Sequence, residues 1–195
     1  AIIEKDRIRI AVMGLVTPAI PTWLPEELYS GIEFRDMVET AEQWMPEILN
    51  KDPDLIVGLF HAGWNAGNEE YKSDNSMIEN GTAAVAWKVP GFDIIFCGHD
   101  HRSANEKFVN SRGDTILILN GGSRSEYIAR AEVLISPENH KGRRIKSVTG
   151  DLIEGKDLIP DPDFLSRFES NDKILREYVE RIIGTAPVTI SSRDS

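Results

Sequence analysis

The chain has 195 residues, which is enough for one domain with a substantial hydrophobic core. Its apolar fraction of 41% and charged fraction of 28% are typical of a soluble globular protein. The formal net charge of −10 argues against a nucleic-acid-binding surface, because no basic stripe offsets it. No run approaches 18 consecutive apolar residues, so the sequence predicts no membrane span.

The first half of the chain alternates strand and helix patterns. Residues 7–14 have the apolar alternation of a β-strand, and residues 17–25 contain three prolines and predict an irregular loop. In that loop Trp23 either packs down or forms the wall of a pocket, and packing is the favoured role. Residues 33–50 have the spacing of an amphipathic helix, and residues 54–60 predict a second, buried strand. This helix-to-strand order indicates an α/β fold.

The second half continues the pattern and then changes to antiparallel strands and a long helix. Residues 76–89 predict a helix with Met77 and Ile78 among its core-facing residues, and Pro90-Gly91 ends it. The remaining predicted elements are strands at 93–97 and 115–120, an antiparallel pair at 130–135 and 144–149, and a C-terminal helix from Asp161 to Ile182.

The single cysteine, Cys97, lies in the predicted strand 93–97 and cannot form an internal disulfide. We interpret it as a small buried apolar residue rather than a nucleophile, because it lies within a predicted buried strand.

Two histidines directly follow that strand in the turn Gly98-His99-Asp100-His101. Open α/β sheets bind ligands beyond the carboxyl ends of their strands. On extended backbone alternate side chains point the same way, so His99 and His101 would face one cleft. Imidazole is the commonest side-chain metal ligand, which makes a divalent metal site the first hypothesis. The alternative is a pair of polar loop histidines that contact only water.

A third histidine, His61, stands at the end of the other buried strand, in His61-Ala62-Gly63. It would reach the same edge of the sheet as His99 and His101 by an independent route. Taken alone, His61 could equally be a hydrogen-bonded loop histidine. The coincidence of all three favours the metal hypothesis.

The two histidine segments resemble motifs of the calcineurin-like metallophosphoesterases, in the branch of 5′-nucleotidases and 2′,3′-cyclic-nucleotide phosphodiesterases. Leu59-Phe60-His61-Ala62-Gly63 is similar to the family's Leu-Ser-His-x-Gly, and Gly98-His99-Asp100-His101 to its Gly-His-x-His. Val89-Pro90-Gly91-Phe92-Asp93 supports the match, which covers roughly residues 5–185. The resemblance implies half of the family's αββα sandwich, with a mixed sheet flanked by helices.

The resemblance also implies ligands and a substrate class. His61 and His99 would hold one ion of a two-metal site and His101 the other, the ions being Zn, Mn or Fe. Two such ions about 4 Å apart stabilise charge on both the attacking and the leaving oxygen. The substrate would be a nucleotide or another phosphate ester, and the location periplasmic or extracellular.

Several family motifs are not found before His61: the Asp-x-His, the Gly-Asp pair and the Gly-Asn-His segment. They carry the carboxylate and amide ligands, so no catalytic residue is assigned within this chain, and its substrate-binding residues stay unassigned. We therefore expect residues 1–185 to be the C-terminal portion of a catalytic domain, and residues 186–195 a linker or tail. Such a portion would be weak or inactive alone, would hold one ion or none, and would self-associate through exposed apolar surface.

Two hypotheses about function remain open at this point. In the first, the intact protein is a dinuclear metallophosphoesterase that hydrolyses nucleotide phosphate esters. In the second, the chain is a non-catalytic binding or structural module on a degenerate phosphatase scaffold. Metal content and hydrolysis by a longer protein would separate them.

Overall fold

The computed structural model describes residues 1–67, 69–73, 77–140 and 143–185, without the side chains of 137–140, 143, 144, 146 and 157. The chain divides into two compact units, Ala1–Lys156 and Asp157–Ser195. The segment interpreted as a linker or tail, residues 186–195, lies outside the described residues.

A six-stranded mixed sheet forms the centre of the first unit, in the order β1-β2-β3-β4-β6-β5. Its four inner strands are parallel, while β1 and β5 pair antiparallel at the two edges. The strands are β1 Ile2–Lys5, β2 Ile8–Val16, β3 Leu55–His61, β4 Ile94–Cys97, β5 Ser103–Val109 and β6 Thr115–Gly121. Parallel strands aligned this way present all of their carboxyl ends at one edge of the sheet.

Two helices cover one face of this sheet. Helix α1 spans Met37–Leu49 and helix α2 spans Thr82–Lys88, each connecting one parallel strand to the next. Met45 and Val85 pack with Phe60 and Ile95 in a cluster whose members are almost fully buried. Burying apolar side chains on both faces of the inner strands is the dominant stabilising contribution in a fold of this kind.

The other face is covered by a two-stranded antiparallel sheet, β7 Tyr127–His140 with β8 Arg143–Glu154. Its apolar residues, including Val133 and Val148, pack on Leu117 and Leu119 of the central sheet. The layers are therefore helices, a six-stranded sheet and a second sheet. The predicted α/β class, with a mixed sheet flanked by helices, is confirmed.

Several predicted boundaries differ from the structure for local reasons. Helix α1 begins at Met37 rather than at residue 33, because the carboxylate of Asp36 accepts a hydrogen bond from the Glu39 backbone N–H at 2.9 Å and caps the helix there. The prediction that Met77 faces the core from a helix is wrong. Met77 lies ahead of α2 with a φ of +59° and is 47% exposed.

The two edge strands were not predicted from the sequence. Strand β1 is short and exposed along its whole length, and β5 mixes charged and apolar residues without a buried run. Short single-turn 3-10 helices occur at Ile20–Thr22, Glu26–Leu28, Glu70–Lys72 and Gly155–Asp157.

The second unit contains helix α3, Pro162–Val179. Its start was predicted correctly, since the Asp161 carboxylate accepts hydrogen bonds from the backbone N–H groups of Asp163 and Phe164. It ends earlier than the predicted Ile182, at Val179, and its apolar residues are exposed. Among the described residues, no helix is both long and apolar enough to cross a membrane.

Candidate functional site

Neighbouring parallel strands bring two of the predicted histidines together. His61 is the last residue of β3, and His99 follows β4 by two residues, with Leu59 and Phe96 paired between the strands. The ring centroids of His61 and His99 lie 5.3 Å apart, with an interplanar angle of 63°. Two of the three histidines expected to cluster at this sheet edge therefore lie close together, and their role as metal ligands stays a prediction.

The backbone through the second histidine segment is not extended. His99 has a φ of +82° and His101 a φ of +57°, both in the left-handed region that residues other than glycine seldom adopt. The expectation that extended backbone aims His99 and His101 in the same direction is therefore wrong. His101 is exposed, and in the part of the chain that the structure describes its ring has no contact with the His61 or His99 ring.

His99 is held on three sides. The indole of Trp23 stacks on its ring with centroids 5.0 Å apart and an interplanar angle of 27°. Its Nε2 lies 3.0 Å from Oε1 of Glu79, and His61 meets its edge. Trp23 is 43% exposed, so it forms a wall beside His99 rather than the packed residue that was favoured. Glu79 was missed, because nothing in the sequence connects it to a histidine 20 residues later.

Asp100, between the two histidines, connects the turn to two other strand ends. Its Oδ2 accepts a hydrogen bond from the Trp64 backbone N–H at 3.0 Å, and its Oδ1 accepts one from the Asn120 side-chain amide at 2.9 Å. Asn120 is 1% exposed, and its own oxygen accepts a hydrogen bond from the Gly122 backbone N–H at 3.0 Å. These bonds fix the histidine turn against the segments that follow β3 and end β6.

Gly63 completes the close packing after β3. A Cβ at this position would lie 2.1 Å from Oδ1 of Asn80 and 2.7 Å from Cβ of Asp100, closer than atoms can approach. Thr82 also donates a hydrogen bond from its hydroxyl to the Ala62 carbonyl at 2.8 Å. The turn that carries Glu79 is therefore packed against the segment that follows His61.

Cys97 is partly buried and packs against the core. Desolvation, together with the nearby carboxylates of Asp100 and Glu106, raises the pKa of its thiol to about 12. The thiolate is the reactive form of cysteine, so a raised pKa agrees with the prediction that Cys97 is not a nucleophile.

The fit of these residues to a metal ion is partial. Two imidazoles that share one tetrahedral ion, at metal–nitrogen distances of about 2 Å, place their ring centroids about 5 Å apart. The His61–His99 separation of 5.3 Å is compatible with that arrangement. Among the described residues, no group of three or more His, Cys, Asp or Glu side chains could hold a metal ion. His61 and His99 thus supply two nitrogens of a set that needs further ligands.

Comparison with known proteins identifies the family. The family model for calcineurin-like phosphoesterases matches residues 22–103, a range that includes His61, His99 and His101. Residues 22–103 of this chain therefore belong to the calcineurin-like phosphoesterase family. The resemblance inferred from the two histidine motifs is confirmed.

Members of this family with curated functions include nucleotide phosphoesterases. A 2′,3′-cyclic-nucleotide 2′-phosphodiesterase/3′-nucleotidase of Haemophilus influenzae is 30% identical over 200 residues, covering 94% of this chain and 29% of that protein. A 5′-nucleotidase of Vibrio cholerae is 34% identical over 101 residues, covering 50% of this chain and 17% of that protein. The chain spans less than a third of the length of the curated relatives it matches.

The fold agrees with the family assignment. The crystal structure of the calcineurin-like phosphoesterase YfkN from Bacillus subtilis superposes with a TM-score of 0.72 at 21% identity, covering 93% of this chain and 58% of that chain. At this level of identity the superposition shows a shared fold.

Proposed function

We propose that the intact protein is a metal-dependent hydrolase of nucleotide phosphate esters, of the 5′-nucleotidase or 2′,3′-cyclic phosphodiesterase type. Phosphoester hydrolysis is the activity of the family to which residues 22–103 belong. The observation that carries the finer proposal is the pair of imidazoles, 5.3 Å apart, at the carboxyl ends of β3 and β4. This is the edge at which parallel α/β sheets bind their ligands.

In this proposal His61 and His99 bind one divalent ion, and His101 binds a second. Bound Zn, Mn or Fe ions supply Lewis-acid stabilisation of the negative charge that develops on the phosphoryl oxygens. The chain itself contributes directional nitrogen ligands on a rigid sheet edge, held by the hydrogen bonds of Asp100. His101 lies on an exposed left-handed turn, so its position would be completed by ligands from outside this chain.

We further propose that residues 1–185 form the C-terminal portion of the catalytic domain and that the carboxylate ligands come from the preceding part of the protein. In support, the described residues offer no cluster of three or more metal-binding side chains. Three imidazoles carry no negative charge, and so they cannot neutralise two divalent ions. The chain alone should therefore be weak or inactive as a phosphodiesterase.

Exposed apolar side chains support the proposal that the isolated chain self-associates. On helix α3, Ile174 and Tyr178 are 66% and 76% exposed, although helices usually bury such residues. Size measurement by light scattering at rising concentration would test this. A strictly monomeric chain at high concentration would contradict it.

Hydrolysis of bis-p-nitrophenyl phosphate and of nucleotides, by the full-length protein that contains this chain, tests the main proposal. We expect metal-dependent turnover that His61→Ala or His99→Ala lowers by a hundredfold or more, roughly the loss found when one member of a catalytic unit is removed. His140→Ala is a matched control, because this histidine is the last residue of strand β7 in the two-stranded sheet and does not follow a strand of the central sheet.

A full-length protein that folds but hydrolyses no phosphate ester would contradict the proposal and favour the non-catalytic module. Equal activity of the wild type and the His61→Ala and His99→Ala variants would also contradict it, since the histidine pair would then have no part in the reaction. For the isolated chain, robust turnover would show that the ligands within it are sufficient.

A further inference from the structure

His99 occupies a backbone conformation that has to be stabilised by its surroundings. A φ of +82° is strained for a residue with a Cβ. Such strain persists where neighbouring contacts fix the side chain, and it is most frequent at functional sites. The contacts around the imidazole of His99 therefore indicate which interactions stabilise this conformation.

The face and one nitrogen of the imidazole are both occupied. Trp23 covers the ring face at 5.0 Å between centroids, which restricts rotation of the ring. Oε1 of Glu79 lies 3.0 Å from Nε2, within hydrogen-bond distance of that nitrogen. The His99 side chain is only 19% exposed, so few other partners can reach it.

The position of Glu79 follows from packing around it. The next residue, Asn80, lies where a Cβ on Gly63 would be, and Thr82 donates a hydrogen bond to the Ala62 carbonyl. The turn that carries Glu79 is thus anchored to the segment that follows His61. The carboxylate and both imidazoles are held by one packed unit at the sheet edge.

We propose that Glu79 is a positioning residue for His99, a role that rests on the metal-dependent function proposed above. A carboxylate accepts but cannot donate, so neutral His99 must carry its proton on Nε2 and keep Nδ1 unprotonated. Nδ1 is then the nitrogen available to a metal ion. Metal-binding histidines commonly donate their second N–H to a carboxylate, which fixes the tautomer and strengthens the ligand.

A positioning role for Glu79 and a structural role predict different effects of its substitution on stability and on metal affinity. Glu79 is 49% exposed, and ion pairs open to water contribute little to the stability of the fold. Loss of its carboxylate should therefore leave the unfolding midpoint almost unchanged. Loss of a carboxylate that orients a metal ligand typically lowers metal affinity by roughly 10–100-fold. Metal affinity is accordingly the quantity that reports on Glu79.

The test measures Zn²⁺ affinity by competition with a chelator in the full-length protein and its variants. Glu79→Ala should lower the affinity about 10–100-fold. Glu79→Gln should recover much of this loss, because its amide oxygen still accepts a hydrogen bond from Nε2. Glu42→Ala, which removes an exposed glutamate of helix α1, is the matched control and should have no effect.

A second readout does not depend on the metal. In metal-free protein labelled with ¹⁵N-histidine, the His99 ring should be the Nε2–H tautomer, and Glu79→Ala should shift it toward a mixture of tautomers. This measurement moves only if Glu79 touches the ring in solution. The unfolding midpoint of Glu79→Ala, which should stay near that of the wild type, shows whether the variant keeps its fold.

Three results would overturn the proposal: unchanged affinity and tautomer in Glu79→Ala, no recovery in Glu79→Gln, or tighter Zn²⁺ binding in Glu79→Ala. The last would mean that Glu79 competes with the ion for Nε2. These outcomes are distinct from failure of the proposed function, in which His61→Ala and His99→Ala would themselves leave Zn²⁺ affinity unchanged. Loss of affinity in the histidine variants but not in Glu79→Ala would overturn only the role of Glu79.

Discussion

The carboxylate of Asp100 accepts a hydrogen bond from the side-chain amide of Asn120 at 2.9 Å, across a separation of 20 residues. The same carboxylate accepts the Trp64 backbone N–H at 3.0 Å. Asp100 therefore connects the histidine turn to the segments after β3 and at the end of β6. Because His99 and His101 flank it, the position of both histidines depends on these bonds.

Asp100→Ala should destabilise the chain by about 1–3 kcal/mol, the cost of leaving a buried donor without its partner. The donor in question is the Asn120 amide, in a residue that is 1% exposed. Urea denaturation followed by circular dichroism would measure the difference in the free energy of unfolding. A loss below about 0.5 kcal/mol would contradict the connecting role of Asp100.

Asp172→Ala provides the matched control. Asp172 forms an exposed i, i+4 ion pair with Arg176 on helix α3 at 2.7 Å. Ion pairs of this kind, open to water, contribute little to the free energy of unfolding. The two substitutions remove the same side chain, so the difference between them isolates the effect of the bonds around Asp100.

Much of the fold and part of the site could be predicted from the sequence, because those parts depend on local pattern. Apolar runs predict β3 and β4, and their parallel pairing brings His61 and His99 together. The left-handed turn at His99 and His101 could not be predicted, since it depends on contacts of Asp100 with distant residues. The Glu79 carboxylate is likewise brought to His99 only by packing of its turn after β3.

The edge strands also could not be predicted from the sequence, because their own sequence patterns are weak. Strand β5 has no buried apolar run of its own and is fixed by pairing with β6, from Ser103 opposite Gly121 to Val109 opposite Thr115. Strand order and edge pairing are tertiary properties, and single-segment patterns carry little information about them.

Gly63→Ala should destabilise the chain by about 1–3 kcal/mol, the typical cost of overpacking. The added methyl would lie 2.1 Å from Oδ1 of Asn80 and 2.7 Å from Cβ of Asp100, so the Glu79-bearing turn or the histidine turn must shift. Thermal or urea denaturation would measure the loss. Gly67→Ala is the control, because among the described residues no atom lies within 4 Å of a Cβ at that position. Equal stability of the two variants would show that the segment after β3 is loosely packed.

Cys97 should resist alkylation in the folded chain. Burial raises the pKa of its thiol from 9.0 to about 12, so the thiolate fraction near neutral pH falls. Relative to a free cysteine, the iodoacetamide reaction near pH 8 should be at least about tenfold slower, because the lower thiolate fraction outweighs the higher nucleophilicity of that thiolate. Because deprotonation is favoured as pH rises, the rate should keep increasing well above pH 9.

Mass spectrometry of timed samples would measure this rate. The same chain unfolded in guanidinium chloride is the control, and it should be alkylated at the rate of an ordinary thiol. Rapid alkylation of the folded chain near pH 8 would mean that Cys97 is exposed or that its pKa is not raised.

The last prediction concerns Zn²⁺ binding by the isolated chain. Only nitrogen ligands are proposed within it, and so any bound ion should be single and weak. Zn²⁺ or Ni²⁺ should bind in preference to Mg²⁺, which prefers oxygen ligands. His61→Ala and His99→Ala should each lower the affinity, because their rings lie 5.3 Å apart and would share the ion. His101→Ala should have little effect in the isolated chain and should empty the second metal position in the full-length protein.

Calorimetric titration with Zn²⁺ at about pH 7.5 and about pH 5.5 would measure these affinities. Protons compete with the ion for imidazole nitrogens, so binding should weaken as the pH falls. His140→Ala is the matched control and should bind as the wild type does. Equal affinity at both pH values would mean that histidines are not the ligands. A variant with His61, His99 and His101 all replaced by alanine retains no proposed nitrogen ligand. Unchanged Zn²⁺ binding by this variant would mean that none of the three histidines is a metal ligand.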